Sequence, residues 1–369
     1  MSDSNDQMFH FNGIDASGGG YLLEAMSQEK LVDIALGRSE ETDILNELAA
    51  KARSKKEGHY GVKHGVDSNK LEESGWAVVF PAVKDDEAKR RQAEIREALA
   101  PLLQLRKQQA GELYREYAGA NGYRPGDSKQ KFLAQLGVGP GPVDPNVVPY
   151  YLMLVGSPTE IPFHVQYQID VQYAVGRLDF DTIEEYANYA RAVVEAETYG
   201  IAHPRTLGFV AVANPDDAAT QLSRQQLVAP LADMAASWPE AKDWTQSRLY
   251  DGDASKSRVL ELYGGEATPA LLFTASHGLG FPKGDPLQRP HQGALLLQDW
   301  PGPKQWGNQP IGRDLYLSGE DLRSDATILP AIAFNFACYG GGTPEFDEFS
   351  KQAFKKRKAI AEGPFTSGL

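Results

Sequence analysis

Two apolar runs near the C-terminal end constrain the fold of this chain more than any other feature. Ala270-Leu271-Leu272-Phe273-Thr274-Ala275-Ser276 leads into His277-Gly278, and Ala331-Ile332-Ala333-Phe334-Asn335-Phe336-Ala337 leads into Cys338-Tyr339-Gly340-Gly341-Gly342. Neither run alternates in polarity, each is about seven residues long, and Gly or Pro bounds them, as expected of strands buried on both faces of a parallel sheet. In an open parallel sheet ligands bind beyond the carboxyl ends of the strands. If the two strands are neighbours, a thiol and an imidazole stand side by side there.

The rest of the chain reads as further strands separated by helices. Strands are expected at 75–81, 149–156, within the partly alternating stretch ending 169–178, at 207–213 and near 247–250. Helices are expected at 85–117, 129–136, 182–199, 219–236 and 255–263, and a helical pattern also covers 21–52. Strands alternating with helices give an α/β protein with a mostly parallel sheet. Residues 1–75 read as a partly helical N-terminal extension, 76–203 as a first α/β subdomain and 204–369 as a second. The Gly/Pro-rich segment 278–325, with a hairpin at 293–298, reads as an insertion supplying substrate-contacting loops.

Composition narrows the function classes. A hydrophobic share of 41% in 369 residues supports a full core, and a net charge of −13 argues against nucleic-acid and anionic-membrane partners. The polar start Met1-Ser2-Asp3-Ser4 lacks the pattern of a signal peptide, and no apolar run is long enough to span a bilayer, so a cytoplasmic location is expected. Cys338 is the only cysteine, which excludes an intramolecular disulfide and a thiolate metal cluster.

A lone cysteine is most often a small buried hydrophobe, but one that ends an apolar strand and precedes three glycines is placed as a nucleophile. An imidazole within reach takes its proton and later protonates the leaving group, so Cys338 and His277 are the candidate catalytic residues. Gly278 has no side chain to block a substrate, and its backbone N–H with that of Cys338 is the candidate oxyanion site. His10, His59, His64, His164, His203 and His291 read as surface or loop residues, and Arg177 and Glu160 as ion-pair or turn residues. The glycine run lacks the Lys-Ser/Thr of a phosphate loop.

The order of an apolar strand ending in His-Gly and a second ending in Ala-Cys, with 61 positions from His277 to Cys338, resembles the caspase-like cysteine peptidases. The blocks Tyr151-Leu152-Met153-Leu154-Val155-Gly156, Glu160-Ile161-Pro162 and Tyr173-Ala174-Val175-Gly176-Arg177 are similar to the first subdomain of the gingipain-type members. The resemblance spans roughly residues 145 to 345. It implies a three-layer α/β/α fold of two side-by-side subdomains and a cysteine endopeptidase working through a Cys-His dyad. It also implies cleavage after Arg or Lys, with Asp170 as the candidate pocket carboxylate. Self-processing at Lys51–Lys56 and Lys355–Lys358, and activation of a partner protein, are its further implications.

No metal or organic cofactor is required by that chemistry, although calcium serves some members of the family. In the family further strands follow the cysteine, whereas here a helix near 345–361 and a short tail are expected. The sheet is therefore expected to be incomplete: either the sequence is the N-terminal part of a longer or processed protein, or a partner or second chain supplies the missing strands, or the enzyme is incomplete and weak. That departure keeps open a caspase-like scaffold or binding module of a bacterial signalling or defence assembly. An acyl transferase or amidase on the same dyad is a third reading.

Overall fold

The computed structural model describes residues 8–10, 13–21, 25–28, 61–139, 141–200, 203–329, 331–347 and 357–369. The chain forms two units, Met1–Ser39 with Tyr199–Leu369 and Glu40–Thr198. Near the N-terminus, β1 (Met8–Phe9) pairs antiparallel with β3 (Met26–Ser27), with β2 (Ile14–Asp15) between them in sequence. The helical pattern expected over 21–52 therefore contains a strand near its start, and most of its remainder lies outside the described residues.

In the Glu40–Thr198 unit, β4 (Trp76–Val79), β5 (Tyr114–Tyr117), β6 (Tyr151–Val155) and β7 (Ala174–Leu178) form an all-parallel sheet of order β5-β4-β6-β7. Side chains that alternate along a strand face opposite ways. Trp76, Val78 and Phe80 accordingly join one core with Ile95, Leu99, Leu102, Tyr186 and Ala190. Ala77 and Val79 join a second with Phe132, Ile161, Val165 and Ile169. Helices α1 (Asp86–Ala98), α2 (Ala100–Ala110) and α5 (Ile183–Tyr199) cover the first face, and α3 (Lys129–Gln135) and α4 (Phe163–Asp170) the second. This is a three-layer α/β/α arrangement.

Two expectations need correction here. The helix over 85–117 ends at Ala110, because Gly111 turns the chain with φ 54° and the Tyr-rich segment after it becomes edge strand β5. Ile169 and Asp170, expected within a partly strand-like stretch, close α4 instead, where Val165 and Ile169 share the buried helical face.

In the other unit, β8 (Thr206–Ala211), β9 (Thr245–Tyr250), β10 (Leu271–Ala275) and β14 (Ile332–Phe336) form a parallel sheet of order β14-β10-β8-β9. Leu207, Phe209 and Ala211 pack with Val228, Ala232 and Ala235, while Val210, Val212 and Leu272 pack with Val259, Leu262 and Leu297. Helix α6 (Ala218–Ser223) follows β8, and a π-helical turn joins it to α7 (Ala229–Ala236). Among the described residues β14 is an edge strand, and Ile332, Phe334 and Phe336 are exposed on it.

A second sheet, β13-β12-β11-β2, joins β11 (His277–Gly280), β12 (Leu295–Leu296) and β13 (Tyr316–Leu317) to β2. The segment 278–325 is thus no set of open loops: Leu279, Leu296, Trp300 and Tyr316 make a core with Ile14 and Ala16. The stretch read as an N-terminal extension contributes a strand to this sheet, since Ile14–Asp15 pairs with Leu279–Gly280. His291, expected at the surface, is buried, with Nε2 2.7 Å from Glu320 Oε2 and Nδ1 2.9 Å from the Tyr316 hydroxyl.

After β14, β15 (Gly342–Thr343) pairs antiparallel with β16 (Phe365–Thr366). At the ends of the helix expected over 345–361, Phe346 bridges Ala359 and Asp347 N–H donates to the Lys358 carbonyl, so those residues run as paired antiparallel chain. The middle of that expectation, and Lys51–Lys56 and Lys355–Lys356, lie outside the described residues. No helix among the described residues is long and apolar enough to cross a membrane.

Candidate active site

β14 and β10 pair in register from Leu271 with Ile332 to Ala275 with Phe336, and the Ser276 N–H donates to the Phe336 carbonyl at 3.2 Å. His277 and Cys338 therefore each stand two residues beyond the last matched pair, at the carboxyl end of the sheet. The sequence pattern of two neighbouring strands ending in reactive side chains corresponds to this register.

Glycine lets the two ends close on one another. A Cβ on Gly278 would overlap the Cys338 carbonyl oxygen and lie 2.7 Å from its carbonyl carbon and 2.8 Å from its nitrogen. Gly293, at φ 83°, packs in the same way on Tyr339, where a Cβ would lie 2.7 Å from the carbonyl carbon. The turn at Cys338 itself carries strain: Tyr339 has φ 59°, a left-handed conformation that side chains rarely adopt, and Gly340 N–H closes on the Ala337 carbonyl at 3.2 Å. The Cys338 side chain is partly exposed, and burial pushes its thiol up to about 11.

A third side chain completes the cluster, and the sequence reading did not find it. β8, next to β10 in the sheet, runs on through Val212 and Ala213 to Asn214-Pro215-Asp216-Asp217. The Asn214 amide ties this loop down by donating to the Leu297 and Trp300 carbonyls at 3.1 and 2.9 Å. Asp217 caps α6 by accepting the Ala219 N–H, and it accepts the Thr220 hydroxyl at 2.7 Å. Its Oδ2 lies 2.7 Å from His277 Nε2, with both side chains fully buried. Burial works to raise the Asp217 carboxyl, but the hydrogen bond from His277, with those from Tyr21 and Thr220, holds it below the usual carboxylate range. Strands β8, β10 and β14 thus deliver an acid, an imidazole and a thiol from three adjacent carboxyl ends.

Both imidazole nitrogens are engaged. The Gly13 N–H donates to His277 Nδ1 at 2.5 Å, so Nδ1 is an acceptor and Nε2 carries the ring proton toward Asp217. Tyr21 donates its hydroxyl to Asp217 Oδ1 and sets its ring edge-on to the imidazole, 5.5 Å between centroids; Trp300 flanks the ring at 6.4 Å.

Asp170 belongs to the Glu40–Thr198 unit. It is exposed at the end of α4, where its carboxylate accepts the Val175 N–H at 3.2 Å and holds the turn into β7. In the same unit Arg177 donates to the Gly156 carbonyl at 2.7 Å and to Gln166 at 2.8 Å, and Glu160 accepts the Ser157 N–H at 2.9 Å. Both act as turn fasteners. No group of three or more His, Cys, Asp or Glu side chains arranged to hold a metal occurs among the described residues.

No family model matches the chain, and no curated protein matches it. Among solved structures it is similar to the Arg-specific cysteine proteinase gingipain R, at 14% identity and a TM-score of 0.44 over 84% of this chain and 63% of that one. It is also similar to the complex of Porphyromonas gingivalis RgpB pro- and mature domains, at 14% identity and a TM-score of 0.40 over 72% of this chain and 56% of that one. The chain therefore spans less than two thirds of the length of either.

Proposed function

We propose that the chain is a cysteine endopeptidase in which Cys338 is the nucleophile, His277 the general acid and base, and Asp217 the group that orients the imidazole. The observation that carries this reading is the Asp217–His277 hydrogen bond at the ends of β8 and β10, beside the end of β14 from which Cys338 projects. An imidazole fixed through Nε2 offers Nδ1 as the base. In the proposed reaction Nδ1 takes the thiol proton and Sγ attacks the scissile carbonyl carbon. Collapse of the tetrahedral intermediate breaks the C–N bond, and the leaving amine receives that proton. Water then hydrolyses the thioester and releases the acid.

Backbone N–H groups of Gly278 and Cys338 are the proposed donors to the oxyanion, each contributing about 3 to 4 kcal/mol in the transition state. The close packing of Gly278 on the Cys338 backbone supports their acting on one oxygen. A preference for Arg or Lys before the scissile bond, with Asp170 as its carboxylate, rests on the sequence resemblance alone.

Peptidyl acyloxymethyl ketones ending in Arg, Lys or Asp test the reading on the folded protein, with the adduct located by mass spectrometry after prolonged incubation. Stoichiometric mass on Cys338 from the Arg and Lys probes is expected. A best yield from the Asp probe overturns the basic preference, and no adduct from any probe favours a non-catalytic scaffold.

A further inference from the structure

We propose that residues 13–21 are a built-in plug that holds the Cys338–His277 pair at rest, and that the site becomes competent when this stretch leaves the imidazole. The proposal rests on the peptidase reading above for the roles of the two side chains. A base must have a free lone pair to receive a proton. In His277 one nitrogen is committed to Asp217, and the lone pair of the other is held by the Gly13 N–H at 2.5 Å. The thiol proton has no acceptor left on the ring. The same stretch returns eight residues later, where Tyr21 donates to the second oxygen of Asp217 and covers an edge of the imidazole.

The plug is seated by backbone pairing and apolar burial. Ile14–Asp15 pairs with Leu279–Gly280, directly beyond the histidine, the Ala16 N–H donates to the Gly280 carbonyl at 2.9 Å, and the Ile311 N–H donates to the Ala16 carbonyl at 2.8 Å. Ile14 and Ala16 are buried, and His277 beneath them has no exposed surface. Asp15 spends its carboxylate on Ser17 within its own turn. A two-residue strand leaves by breaking few bonds, so its displacement is a local opening that the rest of the sheet survives. Burial pushes the Cys338 thiol up to about 11, so at neutral pH the thiol is protonated while the imidazole lone pair is engaged.

Tyr21→Phe and Gly13→Pro test the plug without altering Cys338, His277 or Asp217. The first deletes the hydroxyl on Asp217 and the second deletes the N–H on Nδ1. The Tyr21 bond to the carboxylate is charge-assisted, and its loss shifts an equilibrium about tenfold or more; the Gly13 bond to the neutral ring shifts it up to about tenfold. Two rates are read on each full-length protein: alkylation of Cys338 by iodoacetamide from pH 6 to 11, and hydrolysis of an Arg-ended fluorogenic peptide. Alkylation at pH 7.5 is expected to rise ~tenfold, with the profile moving to lower pH. Unchanged or slower alkylation in a variant with a wild-type circular dichroism spectrum overturns the plug and makes the stretch a structural part of the site. If Gly13→Pro does not fold, Tyr21→Phe carries the test. Faster alkylation with no peptide cleaved supports the plug and removes the peptidase reading. Peptide cleavage that both variants leave at the wild-type rate removes the plug and keeps the peptidase.

Discussion

Asp217→Asn is expected to lower kcat/KM for peptide hydrolysis by about a thousandfold, chiefly through kcat. The carboxylate accepts the Nε2 proton at 2.7 Å and thereby fixes which ring nitrogen carries a lone pair. An amide presents an N–H as readily as an oxygen, so the imidazole loses its enforced tautomer, and the positive charge it acquires during transfer loses its counter-charge. An amide with its oxygen in the Oδ1 position keeps the cap on the Ala219 N–H, which makes this variant gentler on folding than Asp217→Ala. The pH dependence has a definite sign. A carboxyl held below its ordinary range stabilises the native state fully above about pH 4, and that stabilisation is lost as pH falls through the depressed native value. Removing the carboxylate should therefore flatten the acid limb of a stability profile as well as slow turnover. An Asp217→Asn protein with a kcat within threefold of wild type would leave the residue as a helix cap and nothing more.

Gly278→Ala is the second large effect. The added methyl group has no direction in which to yield, because its neighbours are the Cys338 carbonyl group and nitrogen, all main chain. Either the His277 strand or the Cys338 turn must move. Overpacking against a rigid backbone costs about 3 kcal/mol or more, which corresponds to a fall in melting temperature of roughly 10 °C. Turnover should fall to background even in molecules that remain folded, since the substitution separates the two chain ends that carry His277 and Cys338, the proposed base and nucleophile. A calorimetric scan and a peptide assay on the same sample read both. A G278A protein that melts at the wild-type temperature would mean the two ends are not held in contact.

The strand that leads to the histidine was legible because burial writes itself as an unbroken apolar run. The equally apolar run before the cysteine, expected to be buried on both faces, is an edge strand among the described residues, with Ile332, Phe334 and Phe336 exposed. It pairs with β10 all the same, and the ends of the two runs name the site. The same rule applied to Leu207–Ala213 points at Asn214-Pro215-Asp216-Asp217, yet a carboxylate in a loop resembles any solvated turn residue until the sheet order sets β8 beside β10. Tyr114–Tyr117 hid at the end of a charged helical pattern because a four-residue edge strand with two adjacent charged residues at its centre has no period-2 alternation to announce itself. Ile14–Asp15 is less legible still. Two residues that pair with positions 279 and 280 leave no local trace, since the energy that places them lies in a core assembled from distant segments. Asp170 shows the converse: a carboxylate picked out by resemblance has its local reason in the turn that it holds.

The strand order also divides Asp217, His277 and Cys338 by stiffness. β8 and β10 have a hydrogen-bonded neighbour on each side, whereas β14 has one on a single side among the described residues. Amides of an edge strand open to solvent more readily than those of the strands inside it, so exchange with deuterium should be fastest on the strand that ends in the thiol. The acid and the imidazole then behave as the anchored jaw of a vice, and the sulfur rides on the jaw that moves.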